Sequence, residues 1–182
     1  MNKISLLRVG LLCGMCVAGV VRADFNKGLA AFDKGDFATA ISEWTPLAEK
    51  GDVAAQYNLG VIYQNGRGVP RDNRQAFYWF RAAGEKGHPK AMLNVAFGYA
   101  SGTGIGQNYQ EAFIWMHKAA DKGVILAQYN VALMLYNGWG TARNAKAAQA
   151  WMELAAKAGM EDAQKKLDIM QGKNGTPPDL LQ

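Results

Sequence analysis

The chain has 182 residues, enough for about one domain, and its 49% hydrophobic and 19% charged content excludes an intrinsically disordered protein. Its formal charge is +5, yet no apolar run reaches the roughly 20 residues that a membrane-spanning helix requires. Lys3, Arg8 and Arg22 lie in the first 23 positions; without them 17 basic residues face 15 acidic ones, and the remaining +2 excludes the basic footprint of a nucleic-acid-binding protein.

Those first positions predict a secretory signal peptide over residues 1–23. Lys3 and Arg8 give a positive start, Val9 to Val21 carries no charge, and Val21-Arg22-Ala23 offers small residues where a signal peptidase reads. Cleavage near Ala23 would place a chain beginning at Asp24 in the periplasm or outside the cell. Leu12 before Cys13 and Met15 before Cys16 argue against a lipoprotein signal. Both cysteines leave with the leader, so the mature chain has no disulfide and must be stabilised by packing.

One period organises the rest, expected as a single domain over residues 24–171. Gly51, Gly87, Gly123 and Gly159 are each 36 apart, as are Ala40, Ala76, Ala112 and Ala148, and again Ala55, Ala91, Ala127 and Ala163. Trp79, Trp115 and Trp151 keep the same step, as do Asn58, Asn94 and Asn130. Asp24 to Asp33 predicts a first helix, followed by the short turn Lys34-Gly35-Asp36. Each later period then predicts a helix A, first seen over Ala54 to Gln64, and a helix B, first seen over Asn73 to Lys86. Gly66 and Gly68 separate them, echoed by Gly102 and Gly104 and by Gly138 and Gly140.

The boundaries have a chemical basis. Asp36, Asp72, Asn108 and Asn144 stand where helix B should begin, and their side chains suit an N-cap. Gly51, Gly87, Gly123 and Gly159 suit a left-handed stop, and Lys50, Lys86 and Lys122 complement the helix dipole. Glu161 to Gln171 predicts a last helix A, with Asp168 where Gly60, Ala96 and Ala132 stand. A charge there fits a capping helix with no further repeat on it. Residues 172–182, with Gly175 and Pro177-Pro178, read as a flexible tail. The expected fold is all-α: a right-handed α/α solenoid of about four helix-pair repeats plus a C-terminal capping helix.

The segment Ala55-Gln-Tyr-Asn-Leu59-Gly60-Val-Ile-Tyr63, with Gly66-Arg-Gly68-Val69, Asp72, Ala76, Trp79-Phe80, Ala82-Ala83 and Gly87, resembles the Sel1-like repeat, a relative of the tetratricopeptide repeat. The resemblance spans about Ala54 to Gln171. Leu135 in place of the repeat's Tyr, and Thr141-Ala142 in place of Gly-Val-like residues, are departures in the last repeat. The resemblance implies a protein-binding adaptor, regulator or inhibitor. Its partner classes include a secreted toxin, for immunity-type inhibitors of lipase-like toxins, or an envelope protein. A cell-wall or β-lactam-processing hydrolase is the alternative it implies.

The residues speak against that alternative. Beyond the leader there are only Ser42, Ser101, His88 and His117, with no nucleophile-elbow motif and no metal-ligand spacing. Gly102-Thr-Gly104-Ile-Gly106 lacks the Lys-Ser/Thr of a phosphate loop, so no cofactor or metal is expected. In tetratricopeptide-like stacking, helix A lines a concave face. The residues expected there as partner-binding are Phe25, Leu29 and Phe32; Tyr57, Val61, Gln64 and Asn65; Leu93 and Phe97; and Tyr129, Leu133, Tyr136 and Asn137. Aromatic side chains with polar edges suit a protein or peptide groove.

Overall fold

The computed structural model describes residues 23–173. The expected leader, apart from Ala23, and the expected tail from residue 174 onward lie outside the described residues. Between them run α1 (Phe25–Asp33), α2 (Phe37–Glu49), α3 (Val53–Asn65), α4 (Asn73–Glu85), α5 (Pro89–Ser101), α6 (Tyr109–Asp121), α7 (Ile125–Asn137), α8 (Ala145–Lys157) and α9 (Glu161–Met170). No strand occurs among the described residues. Each helix packs chiefly on its neighbours in the chain, which makes a solenoid of four helix pairs closed by α9.

Caps set the boundaries as the sequence predicts. Asp36, Asp72, Asn108 and Asn144 each accept backbone N–H groups from the first turn of α2, α4, α6 and α8. Gly66, Gly102 and Gly138 close α3, α5 and α7 in the left-handed region, at φ 65°, 75° and 78°. Lys86 reaches back a full repeat, its Nζ donating to the Gly51 carbonyl at 2.7 Å.

Small residues let the helices approach, and large ones fill what remains. Ala40, Ala76, Ala112 and Ala148 are buried, as are Ala55, Ala91, Ala127 and Ala163. Phe80 lies so close to Gly60 that a Cβ there would stand 2.6 Å from its ring. Three core clusters follow one another along the stack, around Trp44 and Leu59, around Trp115 and Val95, and around Met152 and Ala132.

His88 proves to be a cap. Its Nδ1 accepts the Ala91 N–H at 3.1 Å at the start of α5, and its ring stacks on Tyr57 with centroids 4.3 Å apart. Burial, and secondarily the Lys90 charge, lower its pKa below the usual histidine value. A folded pKa below the unfolded one means that the unfolded chain binds the proton more readily. The stabilisation is therefore complete above about pH 6.5 and is lost as pH falls through the folded pKa. The melting temperature of the native protein is expected to drop between pH 7 and pH 5 beyond that of His88→Asn, which keeps a cap that does not titrate. A cap of this kind contributes about 1 kcal/mol. Parallel pH profiles for the two proteins would remove the titrating cap from the account.

Candidate partner-binding groove

One face repeats in register along α3, α5 and α7. Asn58, Asn94 and Asn130 come first, then Val61, Phe97 and Leu133, then Asn65, Ser101 and Asn137. Steps of three and four residues stack these side chains on one side of each helix.

Two recesses open beside this face. The first has a volume of about 220 Å³ and is lined by Gln64, Asn73, Phe80, Asn94, Phe97 and Thr103, with Arg71. The second has a volume of about 340 Å³ and is lined by Ala100, Tyr109, Met116, Asn130, Leu133 and Trp139. Each of these six follows its counterpart in the first by 36 positions, so the repeat builds the same recess twice. Phe97 and Ser101 border both. Pockets that enclose a drug-sized ligand run to roughly 300–1,000 Å³; the first recess is below that range and the second at its lower edge, and both are open, which suits side chains of a polypeptide.

Their chemistry differs. Gln64, Asn73, Asn94 and Thr103 make the first polar, and Arg71, whose Nε donates to Asn73 Oδ1 at 3.0 Å, adds a positive charge with no carboxylate in the lining. Tyr109, Met116, Leu133 and Trp139 make the second largely apolar. Trp139 and Tyr109 remain 48% and 46% exposed, and Phe97 between the recesses 40%. Exposed aromatics beside a recess are the side chains that a partner can bury with most gain.

The residues expected in the groove divide into two groups. Gln64, Phe97 and Leu133 line the recesses, while Val61 and Asn65 lie on the same face. Tyr57, Leu93 and Tyr129 sit one residue before the asparagine column, a rotation of about 100°, which turns them toward the next repeat. Tyr57 thus packs between His88 and Phe80, and Leu93 and Tyr129 pack half-buried on the core clusters. Burial raises the pKa of the Tyr57 phenol; it does the same for Tyr129, with a smaller push from the Asp162 carboxylate. Tyr136 lies under Arg143, and the Asn137 Nδ2 is buried with no hydrogen-bond partner among the described residues. Phe25 and Phe32 flank Trp44 in the first core, leaving Leu29 40% exposed.

The asparagine column, Arg71, Tyr109 and Trp139 were not among the expected groove residues. The column was visible at its 36-residue step, but only helix geometry says which way it faces.

Side chains capable of catalysis are scattered. The Ser42 and Ser101 hydroxyls donate to the carbonyls of Thr39 and Phe97 within their own helices. His117 meets Asp121 at 3.0 Å, and its ring packs edge-on to Phe113 and Trp151. Among the described residues, no group of three or more His, Cys, Asp or Glu could hold a metal ion.

Stacked helix pairs with a lined face between successive A helices define a repeat solenoid of the protein-interaction class. The chain belongs to the Sel1 repeat family, whose model matches residues 53–88, 89–124 and 125–160, the pairs α3–α4, α5–α6 and α7–α8. Sel1 repeats are protein-interaction modules, and the proteins built from them are generally non-catalytic. Among solved structures, a Sel1 repeat protein from Oxalobacter formigenes is 30% identical with a TM-score of 0.75; the match covers 85% of this chain and 64% of that one. The protein c5321, a protective antigen of uropathogenic Escherichia coli with an SLR fold, is 25% identical with a TM-score of 0.54, over 86% of this chain and 43% of that one. Helicobacter pylori cysteine rich protein B shares the fold at 19% identity and a TM-score of 0.56, over 71% of this chain and 93% of its own. No curated protein matches the chain.

Proposed function

We propose that this chain is an exported, non-catalytic interaction module that holds an extended polypeptide segment across α3, α5 and α7. The repeated recess carries the reading. A polar, positively charged seat and an apolar seat lie one repeat apart, with Phe97 between them. A segment with an acidic or amide side chain and a large apolar one suits both seats. The charge and apolar patterning of residues 1–23 supports export to the periplasm or beyond. An adaptor, a regulator or an immunity-type inhibitor would each use such a groove.

Affinity capture from periplasmic extract with native protein, compared with the double variant Phe97→Ala and Leu133→Ala, tests the reading. The double variant is expected to lose the partner, since truncating interface anchors typically costs about 2 kcal/mol or more each. Its helicity and melting temperature should stay near native, because Phe97 is exposed and Leu133 is only half-buried. Equal capture by both proteins would place the partner elsewhere on the surface.

A further inference from the structure

The first repeat breaks the tryptophan column. Trp79, Trp115 and Trp151 recur at a 36-residue step, and the residue 36 before Trp79 is Glu43. Glu43 is only 5% exposed, and no other acidic or basic residue is buried among the described residues. Burying a carboxylate is costly unless it is paired and hydrogen-bonded.

Two groups meet it. Its Oε1 pairs with Lys27 Nζ, and its Oε2 accepts the backbone N–H of Asp24 at 3.0 Å. Lys27 is 60% exposed, so water screens that pair. The second donor is a main-chain nitrogen at the entrance to the fold. Helix α1 is short, with 9 residues against 13 in α2, and the Asp24 nitrogen at its entrance meets Glu43 of α2. Val21-Arg22-Ala23, the site expected for signal peptidase, immediately precedes that nitrogen.

We infer that Glu43 is the seat of the mature chain's α-ammonium group, created by cleavage between Ala23 and Asp24. The step is a hydrolysis. The bond from the Ala23 carbonyl carbon to the Asp24 nitrogen breaks, and water supplies oxygen to the carbonyl carbon and hydrogen to the nitrogen. The new Ala23 acid then ionises, and the Asp24 amine takes up a proton. A neutral N–H donor to Glu43 becomes a charged one, and charge-assisted hydrogen bonds are roughly twice as strong as neutral ones. The Asp24 carboxylate, which caps α1 through the N–H groups of Asn26 and Lys27, offsets the unfavourable positive charge at a helix N-terminus. Removal of the leader thus strengthens the end of the stack that it exposes. The inference uses the export reading only for the position of cleavage.

The test begins with the full chain expressed in a bacterial host and exported. N-terminal sequencing and intact mass should give a product that begins at Asp24. Its denaturant stability is then compared with that of the same product enzymatically acetylated at the Asp24 nitrogen, which keeps an N–H but removes the charge. Both forms are also made with Glu43→Gln. The free amine should favour the folded state about fivefold over the acetylated form, the gain expected when a neutral hydrogen bond becomes charged. Glu43→Gln should erase that difference. An exported chain that starts at another residue would overturn the seat while leaving export intact. Equal stability of the free and acetylated native chains, or a difference that survives Glu43→Gln, would overturn it as well. The comparison of native forms remains readable even if the Glu43→Gln chains do not fold.

Discussion

Gly140→Ala is expected to destabilise the protein by about 2–5 kcal/mol, the sum of a left-handed backbone penalty and an overpacking penalty. Gly140 has φ 70°, and a Cβ built on it would stand 1.9 Å from the Tyr109 carbonyl oxygen. Backbone cannot yield as the end of a flexible side chain can. Gly104 stands in the same relation to the Asn73 carbonyl oxygen at 2.1 Å, and Gly68 to the Phe37 Cβ at 2.6 Å. Phe37, Asn73 and Tyr109 are the first residues of α2, α4 and α6. In each case the loop between two helices presses on the start of the preceding helix B, so this glycine forms a joint between repeats. Gly138 is the control. Its φ is 78°, yet its Cβ would meet nothing closer than 3.5 Å, and Gly138→Ala should cost only about 1–2 kcal/mol for the backbone conformation. Urea titrations followed by circular dichroism separate the two. Similar losses at Gly138 and Gly140 would mean that the close contact relaxes freely.

Those two glycines mark where the sequence stops being informative. Their recurrence at 36-residue spacing announces a required turn, and the left-handed stop at Gly66, Gly102 and Gly138 follows from helix-capping chemistry. That the second glycine of each pair carries a contact with the preceding repeat depends on how repeats stack, which no local pattern encodes. The same divide runs through the groove. Asp36, Asp72, Asn108 and Asn144 were legible as caps because capping acts over three residues. Tyr57 and Asn58 differ by one step of the helix, yet one packs against His88 and the other belongs to the repeated face of the groove. Composition favours the aromatic as the binding residue, whereas the helix period turns it toward the next repeat and sets its neighbour on the repeated face. The capping role of His88 is not legible in the sequence, because an imidazole is not among the preferred N-cap side chains. Glu43 breaks the tryptophan column in a way that periodic matching passes over, since the step starts cleanly at Trp79.

Trp44→Ala is expected to cost about 3–5 kcal/mol, the range for truncating a buried aromatic. Trp44 is fully buried, with Phe25 and Phe32 ring centroids at 5.7 Å and 5.6 Å. Its Nε1–H donates to the Phe25 carbonyl at 3.2 Å, and a Cβ on Gly28 would lie 2.5 Å from that nitrogen. Helix α1 is therefore moulded onto this indole, and its main helical neighbour is α2. In a solenoid, stability is nearly a sum of repeat and nearest-neighbour terms, so the loss should fall on one end. Hydrogen exchange is expected to show α1 amides losing protection while those of α5 to α8 keep theirs. Trp44→Phe retains most of the apolar volume but removes the donor, and should cost nearer 1 kcal/mol. Uniform loss of protection across all helices would show that the stack unfolds as one unit. Phe25→Ala and Phe32→Ala complete the test, because they should lower the stability of α1 as Trp44→Ala does. If they leave it unchanged while weakening partner capture, these two aromatics belong to the groove after all, and the binding face extends to the first helix.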